Sequence, residues 1–142
     1  TFPILLQFSI INLLNNALKF TPAGGSITLD YTVDKEKQCI LFSVTDTGTG
    51  IPEDKQELVF QRFEKLNEFV QGTGLGLAIC KLTIQYMGGD IWIDKSYKNG
   101  ARFIFSHPIK KQEQQKNEKK SVDLVFFCFF FAYFAPVKTK GC

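Results

Sequence analysis

Apolar residues along the first twenty positions fall on one side of a helix. Leu6, Ile10, Leu13 and Ala17 repeat at i, i+4, i+7 and i+11, the spacing of a single helical face. This predicts a helix over residues 4–20, stopped by "PAGG" at 22–25. The pattern then changes to alternation. "SITLDYTV" (26–33) reads as a strand, "DKEK" (34–37) as a polar hairpin turn, and "QCILFSVTD" (38–46) as a second strand with an apolar centre. "TGTGIP" (47–52) is a loop, and residues 53–65 read as a short helix anchored by Leu58, Phe60 and Phe63. Residues 65–74 have no clean period and read as a mobile loop. "LGLAICKLTIQYM" (75–87) is a second strong helix, ended by Gly88 and Gly89. "DIWIDKS" and "ARFIFSH" then form a hairpin around "YKNG". Strands on one face of several helices predict an α+β fold, a two-layer sandwich.

The pattern ends at Pro108, and composition changes with it. Residues 1–109 carry 10 Lys/Arg against 11 Asp/Glu, whereas the remainder carries 7 against 3. The positive net charge of +3 therefore resides in the tail. The ordered part is near neutral and lacks the basic surface of a nucleic-acid-binding protein. A domain over residues 1–109 is expected, then a polar, Lys/Gln-rich linker over 110–123 that reads as disordered. Residues 124–142 begin with "LVFFCFFFAYFAPV". This run is shorter than the ~20 residues of a membrane-spanning helix. Three readings stay open for it: a non-native or frame-shifted tail, an interfacial or short membrane segment, and a packed helix. The four cysteines include no C-x-x-C pair, and the single histidine cannot complete a zinc set. Reduced thiols are expected. No signal peptide opens the chain, and with Thr1 in place of an initiator methionine it reads as part of something longer.

Four short stretches carry candidate chemistry. In "NLLNNALKFT" (12–21), Asn12, Asn16 and Lys19 lie at i, i+4 and i+7 and share one stripe. Amide oxygens suit Mg²⁺ that also holds phosphates, and a lysine one turn on can reach the same phosphates. A solvated helix edge has the same pattern. Asp46 ends a strand and opens "DTGTGI". Its carboxylate can accept a hydrogen bond from an exocyclic amine such as that of adenine, while Gly48 and Gly50 let backbone approach a planar ring. An ordinary Asp-Gly turn would also account for it. "GTGLGLAI" (72–79) leads glycine-rich backbone into a helix start, a sound phosphate site that is not a Walker A loop. Arg62, in "FQRF", could reach a terminal phosphate or simply sit on the surface.

In order and spacing these stretches resemble the ATP-binding catalytic domain of sensor histidine kinases, within the gyrase, chaperone, histidine kinase and mismatch-repair ATPase superfamily. "NLLNNALKFT" resembles the N box, "DTGTGI" the first glycine box, "FQRF" the F box and "GTGLGLAI" the second glycine box. The resemblance covers roughly residues 4–108 and implies a Bergerat-type sandwich, with a mixed, mostly antiparallel sheet covered on one face by helices. It implies ATP and Mg²⁺ as ligands. Asn16 would coordinate Mg²⁺ with help from Asn12, and Lys19 would contact phosphate. Asp46 would bind the adenine amine, Gly48 and Gly50 would shape the pocket floor, and Ile51 and Leu75 would join the nucleotide contacts. Residues 52–73 would form a lid, with Arg62 toward the γ-phosphate and Phe63 as its anchor. Gly72, Thr73, Gly74 and Gly76 would line the phosphates. Asn12, Lys19 and Arg62 would serve catalysis.

The identity of Asn12 separates two branches of that superfamily. Hydrolases commonly carry a glutamate there as general base. An amide cannot take that proton, so phosphoryl transfer to histidine is expected instead. The only histidine, His107, reads as a surface residue at a strand end, not as a phosphoacceptor. The resemblance therefore implies partners: a separate dimerisation domain bearing the phosphoacceptor histidine, and a response regulator. It also implies a cytoplasmic domain, bacterial in origin, of a longer protein that can be membrane-anchored. Membrane contact through this chain would involve only the tail. Arg102 departs from the family pattern, standing near the base pocket where a small hydroxyl residue is usual. A nucleotide-binding or docking module without kinase activity is the alternative reading.

Overall fold

The computed structural model describes residues 2–61 and 76–109. They form helix α1 (Phe2–Phe20), strands β1 (Ile27–Asp34) and β2 (Cys39–Asp46), two 3-10 turns (Glu53–Lys55 and Leu58–Phe60), helix α2 (Gly76–Tyr86), and strands β3 (Ile91–Ile93) and β4 (Arg102–Pro108). The sheet order is β1-β2-β4-β3. Every pairing among the described strands is antiparallel. The α+β sandwich expected from the sequence is present. The sheet expected to be mixed is purely antiparallel among the described strands, and the insertion of β4 between β2 and β3 is not written in the local pattern.

Register decides which side chains the helices cover. Val44 stands opposite Leu29 and Phe103, and Phe42 opposite Tyr31 and Phe105. Directly opposed residues share a face, so these positions line the side under α1 and α2. Leu13 and Ala17 of α1 meet Val44, Phe103, Phe105, Ile91 and Ile93 from the sheet and Cys80 and Ile84 from α2 in one core. Phe42 stacks on Phe105 with ring centres 5.1 Å apart. Two polar residues in the helices are buried without cost to the ladder. Ser9 donates its hydroxyl to Leu5 O at 3.0 Å, and Thr83 to Ile79 O at 2.8 Å.

Three elements differ from the sequence reading. The helix expected over 53–65 is two 3-10 turns as far as it is described. Extended backbone at Pro52 and Gln61 (ψ 142° and 152°) breaks any longer helix. Its anchors are buried Val59 and half-buried Phe60, not Leu58, which is exposed; Phe60 meets Phe103 edge-on at 6.0 Å. Phe63 lies outside the described residues. The strand expected over 90–96 ends at Ile93, because the Asp94 carboxylate accepts the Ser96 N–H at 3.0 Å and its hydroxyl at 2.6 Å, which turns the chain. His107, expected on the surface, is half-buried opposite Ile40.

β1 is an edge strand among the described residues. Thr47 N–H donates to Ser26 O, so alternation turns the peptide groups of residues 27, 29, 31 and 33 away from β2. One of these outward groups, Tyr31 N–H, is held by the Asp30 carboxylate at 2.8 Å. No helix of the described residues is long and apolar enough to cross a membrane.

Candidate functional site

The site is built at the end of β2. Asp46 is buried there, with 2% of its surface exposed. A buried carboxylate needs donors, and two backbone groups supply them: Oδ1 accepts Gly48 N–H at 2.9 Å and Ala101 N–H at 3.2 Å. Among the described residues no donor reaches Oδ2. One oxygen is thus fixed by the fold and the other is left as an acceptor of set direction. The main chain of Asp46 is held as well, its N–H donating to Ala101 O at 2.8 Å.

Close backbone approach makes this arrangement possible. A Cβ on Gly48 would lie 2.2 Å from Phe20 O, and one on Gly100 would lie 2.0 Å from Asp46 O. Both are far inside van der Waals contact with backbone, so any side chain would push the loop off α1 or β4 off Asp46. Thr49 N–H donates to Phe20 O at 3.2 Å, which lays the loop after Asp46 against the C-terminal end of α1. Gly50 follows with φ of 72°, and Ile51 packs partly against the core.

Helix α1 brings a second set of groups. Asn12 is buried at 7% exposure, Asn16 is half-buried, and Lys19 and Asn15 are exposed. Among the described residues no hydrogen bond engages the Asn12 or Asn16 amide. Asn12 is mostly buried, yet its amide is not among the enclosed polar groups that lack a partner, so the amide opens to the surface, where a polar group from outside the protein can reach it. The Cys80 thiol reaches Ser9 O at 3.7 Å, so Asn12 and Gly76, the first residue of α2, both lie within about one helical turn of that contact. Burial pushes the Cys80 thiol up to about 12, which makes it a packing residue and not a nucleophile.

Residues 2–111 match the family model described as histidine kinase-, DNA gyrase B-, and HSP90-like ATPase. The chain belongs to this family. Within it the relatives are sensor kinases. The adaptive-response sensory kinase SasA of Microcystis aeruginosa is 42% identical over 107 residues, which is 74% of this chain and 28% of that protein. The sensor histidine kinase WalK of Bacillus subtilis is 40% identical over 107 residues, 72% of this chain and 18% of that protein. The chain thus spans about a quarter or less of the length of these relatives. Among solved structures, the catalytic domain of histidine kinase ThkA superposes with a TM-score of 0.65 at 35% identity, covering 74% of this chain and 66% of that one. Full-length ShkA in complex with AMPPNP gives 0.62 at 35% identity, covering 73% and 21%.

In this ATPase-family domain, Asp46, Gly48, Gly50 and Ile51 gather at one end of the sandwich beside the end of α1 that carries Asn16 and Lys19. Arg62, Gly72, Thr73, Gly74 and Leu75 lie outside the described residues. Arg102, expected near the base pocket, points to the other side of the sheet. Its Nε donates to Thr45 Oγ1 at 3.0 Å, its guanidinium pairs with Asp94 at 3.2 Å, and it stacks on the Tyr97 ring at 4.4 Å. The Asp94 carboxyl is held below its ordinary value by its bonds to Ser96 and then by Arg102. Two exposed ion pairs, Glu53–Lys98 at 3.0 Å and Glu57–Lys95 at 3.7 Å, tie the 3-10 turns to the β3–β4 connection.

Sequence reasoning missed Gly100, Ala101 and Tyr97. Gly100 was visible only as a turn glycine, although it immediately precedes a strand. No local signal linked any of the three to Asp46.

Proposed function

We propose that this domain binds Mg²⁺-ATP and presents the γ-phosphate to a histidine on a separate dimerisation domain, as part of a two-component sensor kinase that goes on to a response regulator. The carrying observation is the Asp46 carboxylate, with Oδ1 fixed by two backbone N–H groups and Oδ2 without a donor among the described residues. An acceptor in that state matches an exocyclic amine, and the close backbone packing at Gly48 and Gly100 holds the acceptor in place. The unengaged amides of Asn12 and Asn16 fit a hard cation through oxygen. Among the described residues no cluster of three His, Cys, Asp or Glu could hold one, so the amides and the nucleotide's own phosphates would share it. Bound Mg²⁺ would neutralise charge on the phosphates. Lys19, exposed at the end of α1, would add a cation to them, and Gly76 would offer backbone N–H at the start of α2. Arg62 is assigned to the γ-phosphate, and Gly72, Thr73, Gly74 and Leu75 to the phosphate and ring contacts, by family resemblance. Asn12 cannot deprotonate water, which favours transfer over hydrolysis. The phosphoacceptor is assigned to another domain, since the one histidine of this chain is half-buried in β4.

Asp46→Asn tests this reading. The new Oδ1 can still accept both backbone N–H groups, so the fold is kept. The new amide would face the adenine amine donor to donor. ATP affinity, measured by calorimetry, should fall roughly 10- to 100-fold, the range for losing a charged hydrogen bond. Unchanged affinity at intact thermal stability would refute the adenine assignment.

A further inference from the structure

We propose that Tyr97 is a positioning residue for Asp46 and thereby sets the preference for a base that carries an exocyclic amine; this rests on the adenine reading above. At the end of an antiparallel ladder, Asp46 and Ala101 would ordinarily exchange two backbone bonds. Only one is made: Asp46 N–H donates to Ala101 O at 2.8 Å. The return donor, Ala101 N–H, goes instead to the Asp46 carboxylate at 3.2 Å. The side chain has displaced its own main-chain carbonyl from the ladder. That carbonyl would then be left without its rung, a costly state near a buried residue. The Tyr97 hydroxyl supplies the missing donor, reaching Asp46 O at 3.1 Å.

The phenol and the carboxylate therefore form one exchange. With the hydroxyl in place, Asp46 O is satisfied and Ala101 N–H is released to fix Oδ1, which aims Oδ2. Without it, the carbonyl competes for Ala101 N–H and the carboxylate loses one of its two anchors. Tyr97 is itself held from behind, since its ring lies under the Arg102 guanidinium at 4.4 Å, and Arg102 is pinned by Asp94 and Thr45. Arg102 acts on the site through this stack, from the opposite face of the sheet. Gly100 completes the device by keeping the space next to Asp46 O clear.

Tyr97→Phe removes the hydroxyl and keeps the ring under Arg102. Two measurements on the full chain test it. In the first, the pH titration of backbone amide shifts follows protonation of the Asp46 carboxyl. In the wild type, the Ala101 and Gly48 amides should both respond. In Tyr97→Phe, the Ala101 response should disappear while that of Gly48 persists. A retained Ala101 response overturns the proposal whatever the nucleotide does. The second compares affinity for ATP with that for inosine triphosphate, which carries oxygen in place of the amine. Tyr97→Phe should weaken ATP about fivefold, the scale of one net hydrogen bond, and leave inosine triphosphate unchanged. Equal losses for both would mark a merely structural role and overturn the assignment. A wild type that does not distinguish the two nucleotides would refute the adenine reading, while the amide titration would still decide the role of Tyr97.

Discussion

β1 and β4 carry the same kind of sequence and have opposite fates. "ITLDYTV" and "RFIFSH" both alternate large and polar side chains. In β4, Phe103 and Phe105 are 2% and 0% exposed, whereas in β1 Leu29, Tyr31 and Val33 are 48%, 64% and 51% exposed. The alternation places both sets on the helix-covered side, and sheet order alone separates them. β4 is central, with β2 on one flank and β3 on the other; β1 is paired only on one side among the described residues. An apolar face is worth what packs on it, and the pattern within a strand does not say what that will be.

Substitutions on the two strands sharpen the contrast. Phe105→Ala should be the most damaging, removing a ring stacked on Phe42 from the centre of the core. A loss of ~3–5 kcal/mol is expected, read as a fall in the denaturant midpoint; a loss below ~1 kcal/mol would show that β4 is not the spine of the fold. A smaller effect comes through pH. Burial lowers the pKa of His107 on β4. Above about pH 6.5 the ring is neutral folded and unfolded alike. Below it the unfolded chain takes the proton first, so stability declines as pH falls toward the lowered folded value. As the only histidine, its contribution can be isolated: His107→Gln should flatten that decline in denaturant midpoints measured between the two values. The least effect is expected on β1. Tyr31→Thr retains strand propensity and gives up only a tilted contact with Phe42 at 6.3 Å. Stability should stay within ~0.5 kcal/mol, and a core-sized loss would mean that the edge is covered.

What could be read from the sequence was local. Both helices begin and end within two residues of the positions their periodicity predicts, because the 3.6-residue repeat and its glycine stops are written into consecutive residues. Asp46, Gly48 and Gly50 were found together for the same reason: a strand end and a glycine turn are neighbours in the chain. The rest depended on distance. Asp46 is completed by Tyr97, 51 residues on, and Ala101, 55 residues on, and no spacing rule reaches across a helix and a strand. The early end of β3 was hidden differently. "DIWIDKS" alternates well, and it took the Asp94 side chain, bonding two residues ahead, to stop the strand. Arg102 was placed near the base by its position in the chain, but side chains alternate across a sheet, and one residue from Asp46 is the far face.

The Asp30 bond to Tyr31 N–H bears on how this chain behaves in company. A free strand edge invites another strand, from a second molecule or a misfolded copy. With exposed Leu29, Tyr31 and Val33 beside it, β1 would be an inviting template. Asp30 occupies the donor in the middle of that edge and sets a negative charge next to it. A strand arriving there must first break a charged hydrogen bond and then settle beside a carboxylate. One acidic residue in a strand otherwise made for pairing thus works as a gatekeeper against aggregation.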